Sequence, residues 1–325
     1  MSSSGASAGA EARAEPRPEV HAETRASLRI VCGPTGAGKS ALALALAEAR
    51  GLTILVADSR QVYRGFDIGT AKPTPAERAR VPHEGLDLAE PTERYSAAAW
   101  AAQAAEVIRR VGVERVLIVG GTGLYLKALT APLFEEPPLD PVRRAALAAE
   151  LEPLDTATLR RWVAQVDACR AGLGRTQLLR ALEVAMLTGR RISDLHREAA
   201  RAPHWRARWL MVDPGDGLHP RIERRLDQML DDGWLDEVRG LAGLVPDSAP
   251  AWNACGYESL RGVVVGTTGL DEAKRAIFVA TRQYAKRQRT WFRHQLTDEA
   301  VTPIDPRSAG AGDAAARWCS EERSA

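Results

Sequence analysis

Gly33-Pro-Thr-Gly-Ala-Gly-Lys-Ser40 is the stretch that most restricts what this chain can fold into. It matches G-x-x-x-x-G-K-S/T. It also sits where that motif requires, between the apolar run Leu28 to Cys32 and Ala41-Leu-Ala-Leu-Ala-Leu-Ala-Glu48, a strong helix by propensity. A strand that turns through glycines into a helix offers an anion its backbone N–H groups and the positive end of the helix dipole. Gly33, Pro34, Thr35, Gly36, Ala37, Gly38, Lys39 and Ser40 are therefore read as a phosphate site. Lys39 bridges terminal phosphate oxygens there, and the Ser40 hydroxyl ligates Mg²⁺. A Gly-rich turn with a chance lysine would need eight positions to coincide. The motif reports phosphate without naming the molecule that carries it.

Further along, Thr53 to Ala57 reads as a second buried strand, ending at Asp58, and Glu84 to Leu88 as a short third. Tyr95 to Arg110 is an Ala-rich helix with Ser96 near its cap, and Arg115 to Val119 is a strand closed by Gly120-Gly-Thr-Gly123. Such alternation predicts an α/β fold: a P-loop parallel sheet core flanked by helices. From Pro141 to Ala202 the pattern turns helical and Arg-rich, which predicts a helical insertion domain. Arg208 to Val212 then returns to strand, His219 to Gly233 is a helix, and Leu270 to Gln295 is the long final helix. The expected division is core over 28–134 and 203–305, insertion over 135–202, and disordered tails over 1–27 and 306–325, with Trp318 able to dock locally. At 325 residues, 45% hydrophobic and 26% charged, the chain has ample means for a core. It contains no apolar run of about 18 residues, so no membrane span is expected.

A kinase or ATPase would usually close a later strand with an aspartate that holds the metal. Here that strand ends in Gly-Gly-Thr-Gly, and the only aspartate directly after an early apolar strand is Asp58, which suits a metal ligand or a base. Net charge is +2, so any nucleic-acid footprint must be a local patch. Thr281 to Gln295 supplies one, with five Lys or Arg residues and no acid. Arg282, Lys286, Arg289 and Arg293 make one helical stripe, while Ile277, Ala280, Tyr284 and Trp291 form a roughly opposite stripe that can bury. Four cysteines without a C-x-x-C pair fit a reducing compartment.

Several longer motifs are more specific. GPTGAGKS, DSRQVYRGFDIGTAKP (Asp58 to Pro73), Pro82-His83 followed by Asp87, and VGGTGLYLKAL (Val119 to Leu129) closely resemble the tRNA dimethylallyltransferase, or isopentenyltransferase, family. So do LLRALEVAMLTGRRISDLH, HPRIERRLDQMLDDG, CGYESL and ATRQYAKRQRTWFR, in order up to Gln295. The resemblance implies transfer of a dimethylallyl group from its pyrophosphate to N6 of the adenine 3′ of the tRNA anticodon. The P-loop would hold the donor's pyrophosphate with Mg²⁺ as cofactor. Asp58 would be the general base, with Arg225 on the leaving group and Thr122 near the reacting atoms. Expected tRNA contacts are Asp58, Ser59, Arg60, Gln61, Thr122, Thr176, Gln177, Arg180, Gly256, Tyr257, Arg282, Lys286, Arg287, Arg289 and Arg293. For Arg225, an ordinary helix-surface arginine is an equal reading, since Arg221 and Arg224 stand beside it. Gly172 to Gln177 and Asn253 to Cys255 depart from the family pattern, and Glu258 stands where a basic residue is common. The implied partners are the anticodon stem-loop and dimethylallyl pyrophosphate, with a cytoplasmic monomer of bacterial type. The competing readings are a P-loop kinase of a small metabolite, a prenyltransferase of free adenylates, and an inactive RNA-binding module.

Overall fold

Short apolar runs that bury alternate residues on opposite faces assemble a six-stranded sheet: β1 (Leu28–Cys32), β2 (Thr53–Ala57), β3 (His83–Glu84), β4 (Val116–Gly120), β5 (Ala207–Val212) and β6 (Ala300–Ile304). The computed structural model describes residues 27–131, 139–198, 205–296 and 300–321. The expected tail over 1–26 and the insertion edges at 135–138 and 199–202 lie outside them. Strand order is β3-β2-β4-β1-β5-β6 and every pairing is parallel. The helices are α1 (Lys39–Arg50), α2 (Pro75–Arg80), α3 (Ala97–Val111), α4 (Gly123–Thr130), α5 (Pro141–Leu151), α6 (Thr156–Val166), α7 (Arg175–Thr188), α8 (Ile192–Glu198), α9 (Leu218–Asp231), α10 (Trp234–Ala242), α11 (Tyr257–Val264), α12 (Leu270–Gln295) and α13 (Ala311–Ser320).

Parallel strands must be covered on both faces, and two apolar clusters do this. Ile30, Leu55, Ile118 and Trp209 face the cluster that includes Trp100 of α3, Leu126 of α4, and Ile277 and Phe292 of α12. Val31, Val56, Leu117 and Leu210 face the other, with Ala43 and Leu46 of α1. Helices α5–α8 bury a third cluster of their own, built on Leu151, Leu159, Val163, Leu178 and Leu182. Ser96 caps α3 by accepting from the Ala99 N–H.

Three expectations change. The third strand is only His83–Glu84, because Gly85 and Asp87 adopt positive φ (85° and 55°) and break the extended run. The edge strand β6 was not foreseen; its Pro303, unusable inside a sheet, is tolerated at an edge. The region after 305 is not a disordered tail throughout. Helix α13 docks there with Trp318 and Cys319 buried against the α1 face. Three arginines from other elements hold its carbonyls: Arg29 donates to Cys319 O (3.1 Å), Arg50 to Ala316 O (3.1 Å) and Arg208 to Trp318 O (2.6 Å). Cations at helix C-terminal carbonyls are stabilising.

Candidate active site

The phosphate loop leaves the carboxyl end of β1, and Gly38, with φ of 96°, starts α1. Lys39 is drawn back over the loop, its Nζ donating to Pro34 O at 2.7 Å. Burial holds the Lys39 ammonium down to about 8; the Arg225 guanidinium adds to this, while Asp58 opposes it. Arg225 reaches in from α9 and donates through Nη1 to Thr35 Oγ1 at 3.1 Å. It is turned into the loop and not out to solvent, and burial depresses its pKa, with Asp58 again opposing. Arg221, one turn earlier on α9, donates to Gly36 O at 3.0 Å and braces the loop from outside. Neither Arg221 nor this pairing was singled out from sequence.

Asp58 follows β2 directly. Its Oδ1 accepts from Arg60 N at 2.8 Å, and the carboxylate stays partly open to the cleft that Lys39, Arg225 and Gln61 also line. Thr122 lies at the start of α4, and its Oγ1 accepts from Ser59 N at 3.0 Å, joining the ends of β2 and β4. The glycines around it are there for contact. A Cβ at Gly121 would strike Gln288, and one at Gly123 would strike the Trp291 ring. That explains why β4 ends in glycines where other P-loop proteins carry an acid. The Tyr284 phenol packs beside Thr122 and Asp58; burial chiefly pushes it up to about 12, so it remains neutral. Gln61 spends its amide on Thr70 O and Ala71 O (3.0 and 3.2 Å), which leaves its oxygen available.

The loop after Asp58 is rigidly held. Lys72 is buried and donates to Tyr63 O (2.5 Å), Asp67 (2.6 Å) and Asp87, which Arg78 also binds. Glu237 of α10 accepts from the amides of Asp67 and Ile68 (2.9 and 2.7 Å). Two spaces open beside Asp58. One is a cleft of about 1510 Å³ running from Thr35 and Lys39 past Asp58 to His83 and Arg224. The other is a cavity of about 90 Å³ with Thr35, Asp58 and Arg225 at its polar side and Ile222, Leu226, Met229, Trp234 and Ile277 as apolar walls.

The expected RNA contacts divide. Arg282, Lys286, Arg287 and Arg293 are exposed along α12. Arg289 is not free on that stripe: it grips Asp213 through Nε and Nη2 (2.8 and 2.5 Å) and donates to Gly215 O. The buried face of α12 runs through Ala273, Ile277, Ala285, Gln288 and Phe292, whereas Ala280, expected to bury, is exposed. Thr176 and Gln177 are exposed at the start of α7, where Gln177 Oε1 accepts from Gly174 N at 3.1 Å. Arg180 pairs with Glu183 inside the insertion. Tyr257 is fully buried among Phe66, Trp252 and Trp234, with its hydroxyl on Glu237 at 2.6 Å, and Gly256 lies flush against Trp234. The structure thus makes Tyr257 part of the core, while Gly256 beside it is half-buried.

No group of three His, Cys, Asp or Glu side chains among the described residues could cage a metal by itself. The exposed Ser40 hydroxyl at the start of α1 is the loop side chain that could reach a phosphate-bound Mg²⁺.

Residues 61–295 match the family model described as IPP transferase. A tRNA dimethylallyltransferase of Thermus thermophilus is 41% identical over 88% of this chain and 96% of its own length. The chain belongs to the tRNA dimethylallyltransferase family. A second relative of that name, from Deinococcus radiodurans, is 42% identical over 84% of this chain and 92% of its own. Among solved structures, the tRNA isopentenylpyrophosphate transferase of Bacillus halodurans superposes with a TM-score of 0.60 at 31% identity, covering 86% of this chain and 90% of that one. A eukaryotic dimethylallyltransferase acting on tRNA reaches a TM-score of 0.70 at 23% identity, over 86% of this chain and 73% of that one, and so shares the fold. The chain is accordingly a prenyltransferase of tRNA modification. No helix among the described residues is long and apolar enough to cross a membrane.

Proposed function

We propose that the phosphate loop holds the pyrophosphate of dimethylallyl pyrophosphate, that the 90 Å³ cavity takes its five-carbon tail, and that Asp58 acts as the base for an adenine N6. The observation that carries this is the position of Asp58. It lines both the cleft shared with Lys39 and Arg225 and the small apolar cavity, so charge, tail and base meet at one point. The adenine amine is a weak nucleophile because its lone pair is delocalised into the ring. As the N6 lone pair forms the C–N bond, its proton passes to the Asp58 carboxylate, and the allylic C–O bond breaks with its electron pair going to pyrophosphate. Lys39, Arg225 and the loop amides stabilise the charge that develops on the leaving oxygens. Mg²⁺, held through Ser40, would supply further neutralisation of the pyrophosphate.

The RNA would lie along the open basic face of α12, where Arg282, Lys286, Arg287 and Arg293 position backbone phosphates without reading sequence. The target adenine must leave its stack to reach Asp58. Thr122, Ser59, Arg60 and Gln61 border that point. A tRNA substrate supports a cytoplasmic location.

The test is competition at the loop. A non-hydrolysable dimethylallyl thiopyrophosphate should bind the wild type, lose affinity in Lys39→Ala, and resist displacement by ATP. Binding of ATP with no binding of the isoprenoid would overturn the reading in favour of a nucleotide kinase.

A further inference from the structure

Gln288 is buried, at 7% exposure, on the inner face of α12 between two exposed or partly exposed arginines. Both ends of its amide are used. Oε1 accepts from the Thr35 N–H at 2.8 Å, and Nε2 donates to the Gly121 carbonyl at 2.9 Å. The two partners belong to different loops, one after β1 and one after β4. Because the Thr35 amide is turned toward Gln288, its hydroxyl is left to accept from Arg225. Because Gly121 is pinned, the next residue, Thr122, presents its hydroxyl to Ser59 N beside Asp58. A single buried amide thus ties the phosphate cradle to the loop whose Thr122 holds Ser59, next to Asp58.

We propose that Gln288 is a positioning residue of the transfer reaction: it fixes the donor loop against the loop after β4, whose Thr122 in turn holds Ser59 next to Asp58. This rests on the reading of the site given above. Alignment of reacting groups is where a small displacement costs rate, and a buried amide with both partners satisfied is a stiff spacer. Alanine leaves Thr35 N and Gly121 O unpaired in a buried place. Glutamate has the same shape but two protonation states. The carboxylate still accepts from Thr35 N yet repels the Gly121 carbonyl, whereas the protonated acid accepts and donates as glutamine does.

The experiment is steady-state transfer to an anticodon stem-loop RNA by the wild type, Gln288→Ala, Gln288→Glu and Lys39→Ala, across a pH range and with melting temperatures recorded. Gln288→Ala is expected to lower kcat by about tenfold or more, with a smaller change in KM for RNA. The kcat of Gln288→Glu, divided by that of the wild type at the same pH, should rise as pH falls. A merely structural glutamine would lower the melting temperature and leave both kcat and that pH ratio flat, which would overturn the proposal. Should Lys39→Ala leave the donor KM unchanged, the phosphate-loop reading itself falls, whatever Gln288 does.

Discussion

At Asp58 the chemistry narrows to one side chain. Replacing it with asparagine keeps the shape and the hydrogen bond from Arg60 N but removes the proposed base. Asp58→Asn is therefore expected to retain donor affinity and lose about 10²–10⁴-fold in transfer rate, read by single-turnover kinetics at saturating donor. Joint loss of Mg²⁺ and donor binding would instead make Asp58 a metal-site residue. Lys39 has its own signature. Its ammonium titrates near 8 in the free protein, below the ordinary 10.5, because the site withdraws it from water. An arriving pyrophosphate favours the charged form and lifts that pKa, so between about pH 8 and 10 donor binding must take up a proton. Titration calorimetry in buffers of different ionisation enthalpy reads this directly. No proton uptake would mean that Lys39 does not face the anion.

The elements show how much of the site is legible in sequence. The phosphate loop could be placed at once because the strand, glycines and helix are contiguous, and Asp58 because it ends an apolar run. What escaped depends on meetings between distant segments. Gln288 is an unremarkable polar residue until the register of α12 puts it on the same face as Ala285 and Phe292; that register, read i to i+3 and i+4, was the available signal. Tyr257 was placed at the RNA by the family resemblance alone, whereas Glu237 and three aromatic rings bury it. Arg289 carries the same lesson, since one turn of β5–α9 backbone supplies Asp213. The stripe on α12 should therefore act unequally. The triple change Arg282, Lys286 and Arg293 to Ala is expected to weaken RNA binding and flatten the slope of log K against log salt by up to about 0.9 per lost phosphate contact. Arg289→Ala should mainly loosen α12, seen as a lower melting temperature. Equal loss of salt slope from Arg289→Ala alone would show that it leaves Asp213 for the RNA.

Across the whole molecule, function is divided between parts with separate cores. The sheet and its two apolar faces place the phosphate loop and Asp58, and the α5–α8 cluster buries its own side chains apart from them. Helix α13, of which the sequence showed only that Trp318 could dock because its partners Arg29, Arg50 and Arg208 lie far away in the chain, completes the α1 side of the sheet. Trp318→Ala is expected to cost about 3–5 kcal/mol in denaturant unfolding while leaving donor affinity in the folded protein unchanged. A stability cost near zero would mean that α13 is not part of the cooperative fold. The claim on which these parts converge is alkylation of one tRNA adenine by an isoprenoid donor. Mass spectrometry of nucleosides from an anticodon stem-loop, incubated with the protein, Mg²⁺ and dimethylallyl pyrophosphate, tests it most directly. The account predicts one dimethylallyl group replacing one hydrogen on the adenine 3′ of the anticodon, abolished in Asp58→Asn; unmodified RNA with the wild-type protein, or modification undiminished in Asp58→Asn, would contradict it.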